Sequence, residues 1–133
     1  MKKLNHVLLV EDDDTINFYN EFLLTSRGLT DSVSVAENGR EALEYLSKAG
    51  NGEAQVPDLI LLDINMPVMN GFEFIEQYER LPEHWKSKIL VVMLTTSLHP
   101  DDMNRAKQHP VIAEYFYKPL METKLSELVE RYF

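Results

Sequence analysis

The chain has 133 residues, of which 44% are hydrophobic and 26% are charged, and these values are typical of one compact globular domain. Its 13 basic residues stand against 22 acidic ones, and the resulting net charge of −9 argues against binding to a nucleic-acid backbone. The absence of cysteine excludes disulfide cross-links and thiolate chemistry.

The N-terminal sequence MKKLNHVLLVEDDD begins with lysines and an apolar stretch, but acidic residues interrupt it before the hydrophobic core of a signal peptide is complete. The longest apolar runs, VLLV and ILVVML, have the length of strands and fall far short of a bilayer span. We therefore expect a cytoplasmic protein with neither a membrane nor a nucleic acid as its partner.

Apolar segments of strand length, rich in valine, isoleucine and leucine, recur along the chain. They are HVLLV at 6–10, SVSVA at 32–36, DLILLD at 58–63, ILVVML at 89–94 and AEYFY at 113–117. The spacing leaves room for one helix between successive strands. This repeated βα pattern predicts an α/β protein with a parallel sheet that is covered by helices on both faces.

The segments between the strands carry the periodicity of amphipathic helices. The apolar stripes are Ile16, Tyr19 and Leu23; Ala42, Leu43 and Leu46; Phe72, Ile75 and Tyr78; and Leu125, Leu128, Val129 and Tyr132. A weakly amphipathic fourth helix is expected near 101–109, with Pro100 in its first turn. Asn38-Gly39 and Asn70-Gly71 mark turns before the second and third helices. The stretch RLPEHWKSK, which contains His84 and Trp85, is interpreted as a surface loop.

Polar side chains are expected at the carboxyl ends of the strands, which is the edge where open parallel sheets bind ligands. They are Glu11 and Asp12 at the first strand, Asp63 at the third, Thr95 at the fourth and Lys118 at the fifth. Because clustered carboxylates repel one another, a hard divalent cation is the ordinary remedy. Mg²⁺ is the expected ion, since it accepts one or two carboxylates together with phosphate oxygens.

An aspartate at such a site can act as a nucleophile toward a phosphoryl group, and Asp63 is the candidate. Lys118 would offset the charge of the phosphoryl group, and Thr95 would donate a hydrogen bond to one of its oxygens. Each residue also has a simpler interpretation, because acids at strand ends are most often helix N-caps, as we expect for Asp13 and Asp14. A threonine there is often a turn hydroxyl, and a lysine a solvated cation. The joint placement favours a site.

The motifs that carry these residues resemble the receiver domain of bacterial two-component response regulators over essentially the whole chain. They are LLVEDD with Glu11 and Asp12, DLILLDINMPVMNG with Asp63, VVMLTTS with Thr95, and YFYKPL with Lys118. The resemblance implies a flavodoxin-like fold whose five parallel strands lie in the order 2-1-3-4-5.

The resemblance also implies a function. Asp63 would accept a phosphoryl group from a phosphohistidine on a sensor histidine kinase or a histidine phosphotransfer protein, so the protein would be a phosphoacceptor and not a turnover enzyme. Asp12 and Asp63 would bind Mg²⁺ by their carboxylates, Glu11 mainly through water, and Asn65 by its backbone carbonyl. The peptide bond between Lys118 and Pro119 would be cis.

A conformational switch is implied as well. Phosphorylation would move Thr95 toward a phosphoryl oxygen and turn Tyr115 inward, although an aromatic residue on a last strand is also commonly core packing. A downstream protein would bind the face formed by the fourth helix, the fifth strand and the fifth helix. Such a change is a population shift between two states.

Two features depart from the family pattern or limit it. Thr96 stands where the family usually has a smaller residue, so we expect slow exchange of the phosphoryl group. The sequence ends after the fifth predicted helix, so we expect 1–133 to be a single receiver domain without an output domain, acting by protein contact or onward phosphotransfer. A homodimer through the last helices is an alternative, and Tyr132 and Phe133 suit either a core or such an interface.

Two other functions agree with part of the pattern. A phosphohydrolase of the haloacid dehalogenase class also uses an aspartate and Mg²⁺, but it needs a second acid two positions on, where this chain has Asn65, and a cap domain for which the chain has no room. A receiver fold kept only as a binding module usually loses part of the set of acids, threonine and lysine. The whole set is present here.

Overall fold

A computed structural model describes residues 3–133. Strands and helices alternate along the chain as β1 Val7–Val10, α1 Asp14–Ser26, β2 Val33–Ala36, α2 Gly39–Gly50, β3 Leu59–Leu62, α3 Gly71–Tyr78, α4 Glu83–Lys86, β4 Leu90–Thr95, α5 Pro100–Lys107, β5 Ile112–Tyr117 and α6 Glu122–Tyr132. The predicted fourth and fifth helices are therefore α5 and α6. Within the described residues, no helix combines the length and apolar character needed to cross a membrane.

The strands form one five-stranded sheet in the order β2-β1-β3-β4-β5, and each pair is parallel. Val7 of β1 is in register with Val33 of β2 on one side and Leu59 of β3 on the other. The predicted fold class and strand order are confirmed. The three central strands are hydrogen-bonded on both edges, which suits their uninterrupted apolar sequences.

Alternate residues of the central strands enter two separate hydrophobic cores, because successive side chains of a strand point to opposite faces of the sheet. Leu8, Ile60 and Met93 pack with α2, α3 and α5 on one face. Leu9 and Leu61 pack with α1 and α6 on the other face. Helices therefore cover both faces, as the sequence predicts, and the sheet is held rigidly between them.

Side-chain caps fix the starts of three helices close to the carboxyl edge of the sheet. Asp13 accepts hydrogen bonds from the N–H groups of Thr15 and Ile16, which confirms its predicted role as an N-cap. Asn38 caps α2, and Asn70 forms a reciprocal capping box with Glu73 at the start of α3. Asn38 and Asn70 thus end the two turns that the Asn-Gly pairs predict.

The prediction of a surface loop around His84 and Trp85 is wrong in one respect, because the centre of this stretch forms the one-turn helix α4. Pro82 precedes the helix with a φ of −54°, and Glu83 lies in its first turn. Trp85 packs on α2 so closely that a Cβ atom at Gly50 would lie 2.4 Å from the indole ring. One turn is too short to produce a helical period, so the sequence gives no pattern for it.

Two residues of the predicted apolar stripes lie partly at the surface. Tyr19 and Tyr132 are 40% and 38% exposed, so Tyr19 does not belong to the core and Tyr132, for which a core and an interface were both open, is not a core residue either. The Tyr19 hydroxyl donates a hydrogen bond to the carbonyl of Leu120, 2.8 Å away, so the polar end of this half-exposed side chain is satisfied. A stripe calculated from period alone does not distinguish its centre from its margins.

Candidate functional site

The carboxyl ends of β1 and β3 bring three acidic side chains together. Glu11 and Asp12 follow β1, and Asp63 follows β3, the neighbouring strand. One carboxylate oxygen from each of the three lies within 4.8 Å of the others. Glu11 and Asp63 are buried, whereas Asp12 is exposed. The structure thus assembles the predicted acidic cluster with one open side.

Backbone hydrogen bonds continue the sheet through these residues and fix where their side chains begin. The N–H of Asp63 donates to the carbonyl of Val10 at 3.0 Å, and the N–H of Glu11 donates to the carbonyl of Ala36 at 2.9 Å. Both acids are therefore held by the rigid sheet rather than by a flexible loop, as a preorganised site requires.

Lys118 joins the cluster from β5, two strands away from β3. Its ammonium lies 3.2 Å from Oδ1 of Asp63 and pairs still more closely with Oε1 of Glu11. The backbone N–H of Lys118 donates to the carbonyl of Thr95 at 2.8 Å, which anchors the backbone of the lysine at the end of β4. The peptide bond between Lys118 and Pro119 is cis, as the resemblance implies.

Burial perturbs the ionisation of Glu11. The pKa of this carboxyl is raised to about 7, chiefly by burial and in addition by the negative charge of Asp63, while the ammonium of Lys118 acts in the opposite direction. Three carboxylates nevertheless share one ammonium, so an added cation would be stabilised there.

Thr95 ends β4, which lies between β3 and β5, so this residue lies at the edge of the sheet between Asp63 and Lys118. The threonine is fully buried, and its Oγ1 accepts a hydrogen bond from the N–H of Ser97 at 3.0 Å. Asn65 is exposed in the loop between β3 and α3.

Tyr115 lies apart from the acids, within β5. Its ring packs on the core beneath α5 and forms an edge-on contact with Tyr117, the ring centres being 5.8 Å apart. The structure therefore brings Glu11, Asp12, Asp63 and Lys118 into direct proximity. Thr95 and Tyr115 stand on the adjoining strands.

The supporting roles of two residues were not predicted from the sequence. The side-chain amide of Asn17 is buried and donates to the carbonyl of Glu11 at 2.8 Å, so α1 holds the acidic end of β1. A Cβ atom at Gly71 would lie 2.3 Å from the carbonyl oxygen of Asp63. Asn17 could have been noticed as a polar residue seven positions before Leu24, on the buried side of α1, whereas the close approach at Gly71 leaves no periodic signal.

The donor set fits a magnesium ion. Glu11, Asp12 and Asp63 offer only carboxylate oxygens, the ligands that hard divalent cations prefer, and the open side at Asp12 suits an ion that keeps part of its water shell. Thiolate and imidazole ligands, which softer metals favour, do not occur in this group.

The strand order and the two helical layers define the flavodoxin-like class of α/β proteins. A family model described as the response regulator receiver domain matches residues 7–130. The probable methanogenesis regulatory protein FilR2 of Methanothrix harundinacea is 34% identical over 124 residues, which cover 93% of this chain and 78% of that protein. The chain belongs to the response regulator receiver domain family of two-component signalling.

Solved structures agree with this assignment. A two-component response regulator from Cytophaga hutchinsonii superposes with a TM-score of 0.87 and 30% identity, covering 98% of this chain and 97% of that one. The phosphorylated cyanobacterial phytochrome response regulator RcpA gives a TM-score of 0.73 and 30% identity, covering 96% and 89%. The family is one of signalling proteins rather than turnover enzymes, and its members typically bind Mg²⁺ at an acidic pocket.

Proposed function

We propose that this protein is a phosphoacceptor, and that Asp63 receives a phosphoryl group from a phosphohistidine on a histidine kinase or a histidine phosphotransfer protein. The single observation that carries the proposal is the position of the Asp63 carboxylate. It lies at the end of a central strand, 3.2 Å from the Lys118 ammonium and grouped with Glu11 and Asp12. The phosphorylated state of the similar protein RcpA supports the same chemistry.

The reaction is a displacement at phosphorus. A carboxylate oxygen of Asp63 forms the new P–O bond, while the P–N bond to the imidazole breaks and the departing nitrogen keeps its electron pair and takes up a proton. Mg²⁺ bound by Asp12, Asp63 and the backbone carbonyl of Asn65, with Glu11 acting through water, would supply positive charge that offsets the phosphoryl oxygens.

Lys118 and Thr95 would act on the phosphoryl group itself. Lys118 would leave its pairing with Glu11, and its ammonium would pair with the negatively charged phosphoryl group on Asp63. The Thr95 hydroxyl would donate a hydrogen bond to a phosphoryl oxygen. The resulting movement of Thr95 would let Tyr115, on the neighbouring strand, turn inward. We propose that the face of α5, β5 and α6 then binds a downstream protein.

The proposal is tested by intact mass after incubation with acetyl phosphate and Mg²⁺. The native chain is expected to gain one phosphoryl group, and the gain should disappear in Asp63→Asn and without Mg²⁺. Asp101→Asn is the matched control, because it removes an exposed aspartate outside the site. Sustained hydrolysis of a generic phosphomonoester would favour the phosphohydrolase instead. A folded native chain that gains nothing would favour a binding module.

A further inference from the structure

The loop between β4 and α5 is organised around the side chain of Ser97. Its hydroxyl donates a 2.5 Å hydrogen bond to Oδ2 of Asp102 and accepts one from the N–H of His99 at 3.3 Å. The N–H of the same serine donates to Oγ1 of Thr95 at 3.0 Å. One residue thus connects the buried threonine of the site to a carboxylate on α5.

The negative charge of Asp102 also acts on Tyr115. Burial raises the pKa of the Tyr115 hydroxyl, and the charge of Asp102 raises it further. Asp102 is held at the first turn of α5, where its N–H donates to the carbonyl of His99 at 3.1 Å. Asp102 is thereby fixed at the start of α5, beside the loop that follows Thr95.

We propose that Asp102 is a positioning residue. By holding Ser97, it keeps the Thr95 hydroxyl bonded to the loop between β4 and α5, and it thereby slows phosphoryl transfer to Asp63. The inference rests on the proposed function. The threonine oxygen accepts from Ser97 in this structure, and its move toward a phosphoryl oxygen would break that bond. Hydrogen bonds to a charged acceptor are among the stronger ones, so the bond from Ser97 to Asp102 would favour the present position of Ser97, and with it the bond from the Ser97 N–H to Thr95.

A simpler role for Asp102 is a favourable charge at a helix N-terminus. Asp101 separates the two explanations, because it lies in the same first turn and carries the same charge. The Asp101 N–H is bonded to the ring of its own N-cap, His99, and its carboxylate is exposed. A dipole effect would appear for both acids, whereas the hydrogen bond to Ser97 belongs to Asp102.

The test compares the rate constants for phosphoryl gain from acetyl phosphate with Mg²⁺, measured by intact mass on variants whose folding is checked by urea titration. Asp102→Ala and Ser97→Ala are each expected to react about three to ten times faster than the native chain. Asp101→Ala should match the native chain, and Ser97→Thr, which restores the hydroxyl, should react at the native rate. The double variant should be no faster than the faster single variant, because both changes remove one bond.

A second readout does not depend on phosphorylation. Hydrogen exchange of the Ser97 amide, followed by NMR, is expected to be about tenfold faster in Asp102→Ala than in Asp101→Ala. Equal exchange in the two variants, equal reaction rates, or a slower reaction of Asp102→Ala would overturn the inference. A native chain that takes up no phosphoryl group at all would refute the proposed function and the kinetic role together, while the exchange experiment would still decide whether Asp102 holds the loop.

Discussion

Lys118 and Asp63 stand 3.2 Å apart at the carboxyl ends of strands that are separated by β4, and the same ammonium also pairs with Glu11. The lysine ammonium thus already lies beside the proposed phosphoacceptor, Asp63, in this structure. Because it is itself largely buried, its pairing balances two acids that would otherwise repel each other at close range.

Replacing this lysine should separate metal binding from phosphoryl transfer. In Lys118→Met, the acids lose their internal cation, so we expect Mg²⁺ to bind at least as tightly as in the native chain. Phosphoryl gain from acetyl phosphate should fall at least tenfold, because the charge that offsets the phosphoryl oxygens is gone. Mg²⁺ titration by calorimetry and intact mass measure the two effects.

Lys107→Met is the control for this experiment, since it removes an exposed lysine from α5 and should change neither quantity. A Lys118→Met variant that loses Mg²⁺ affinity and reactivity in parallel would mean that the lysine only holds the site together.

The raised pKa of Glu11 predicts how stability depends on pH. The folded state holds a proton on Glu11 up to a pH of about 7, whereas the unfolded chain releases it near the ordinary value of 4.5. The folded state binds more protons in this interval, so the contribution of Glu11 to stability falls as the pH rises through it. The linkage limits this contribution to about 3 kcal/mol. Urea unfolding at pH 5 and pH 8 measures it.

His6 contributes with the opposite sign, because burial lowers its pKa and the unfolded chain then binds more protons near pH 6.5. The comparison must therefore be made between the native chain and Glu11→Gln, which share His6. The variant should gain stability relative to the native chain at pH 8 and gain little at pH 5. A difference that is the same at both pH values would show that Glu11 is ionised throughout.

The sequence predicted the sheet and the position of the acids because both follow from strong local patterns. Continuous apolar runs mark strands that are buried on both faces, and parallel topology then places Asp63 and Lys118 at one edge without further information. The pairing of Lys118 with Glu11 was not predicted, since a side-chain contact between distant positions has no periodic signature. The same reason hid the hydrogen bond between Ser97 and Asp102.

Gly71 should be required because it has no side chain, and not because it begins a helix. An added Cβ would lie 2.3 Å from the Asp63 carbonyl oxygen, so Gly71→Ala must displace the backbone of Asp63, the proposed phosphoacceptor. We expect a loss of about 1–3 kcal/mol in the free energy of unfolding and at least a tenfold slower phosphoryl gain. Urea titration and intact mass give the two values.

Gly50→Ala is a matched control, because its Cβ would lie 2.4 Å from the Trp85 ring, away from the acids. It should cost a similar amount of stability and leave the rate of phosphoryl gain unchanged. A similar loss of rate in both variants would indicate general destabilisation rather than a local effect at Asp63.

Val68 carries backbone strain in the loop between Asp63 and α3. Its φ of 67° lies in the left-handed region, where a β-branched side chain is crowded, and the N–H of Met69 donates to the carbonyl of Pro67 across it at 2.7 Å. The side chain is 75% exposed, so little packing is lost when it is replaced. Such a conformation costs of order 1–3 kcal/mol, and asparagine adopts it more readily.

We therefore expect Val68→Asn to raise the free energy of unfolding by about 1 kcal/mol, measured by urea titration. Val56→Asn is the control, because Val56 is also an exposed valine but lacks a positive φ. It should bring no gain. Because the strained residue lies five positions after Asp63, a stabilised Val68→Asn that still gains a phosphoryl group at the native rate would mean that the strain is not needed for the chemistry. A slower rate would mean that the strained turn holds this loop in its reactive position.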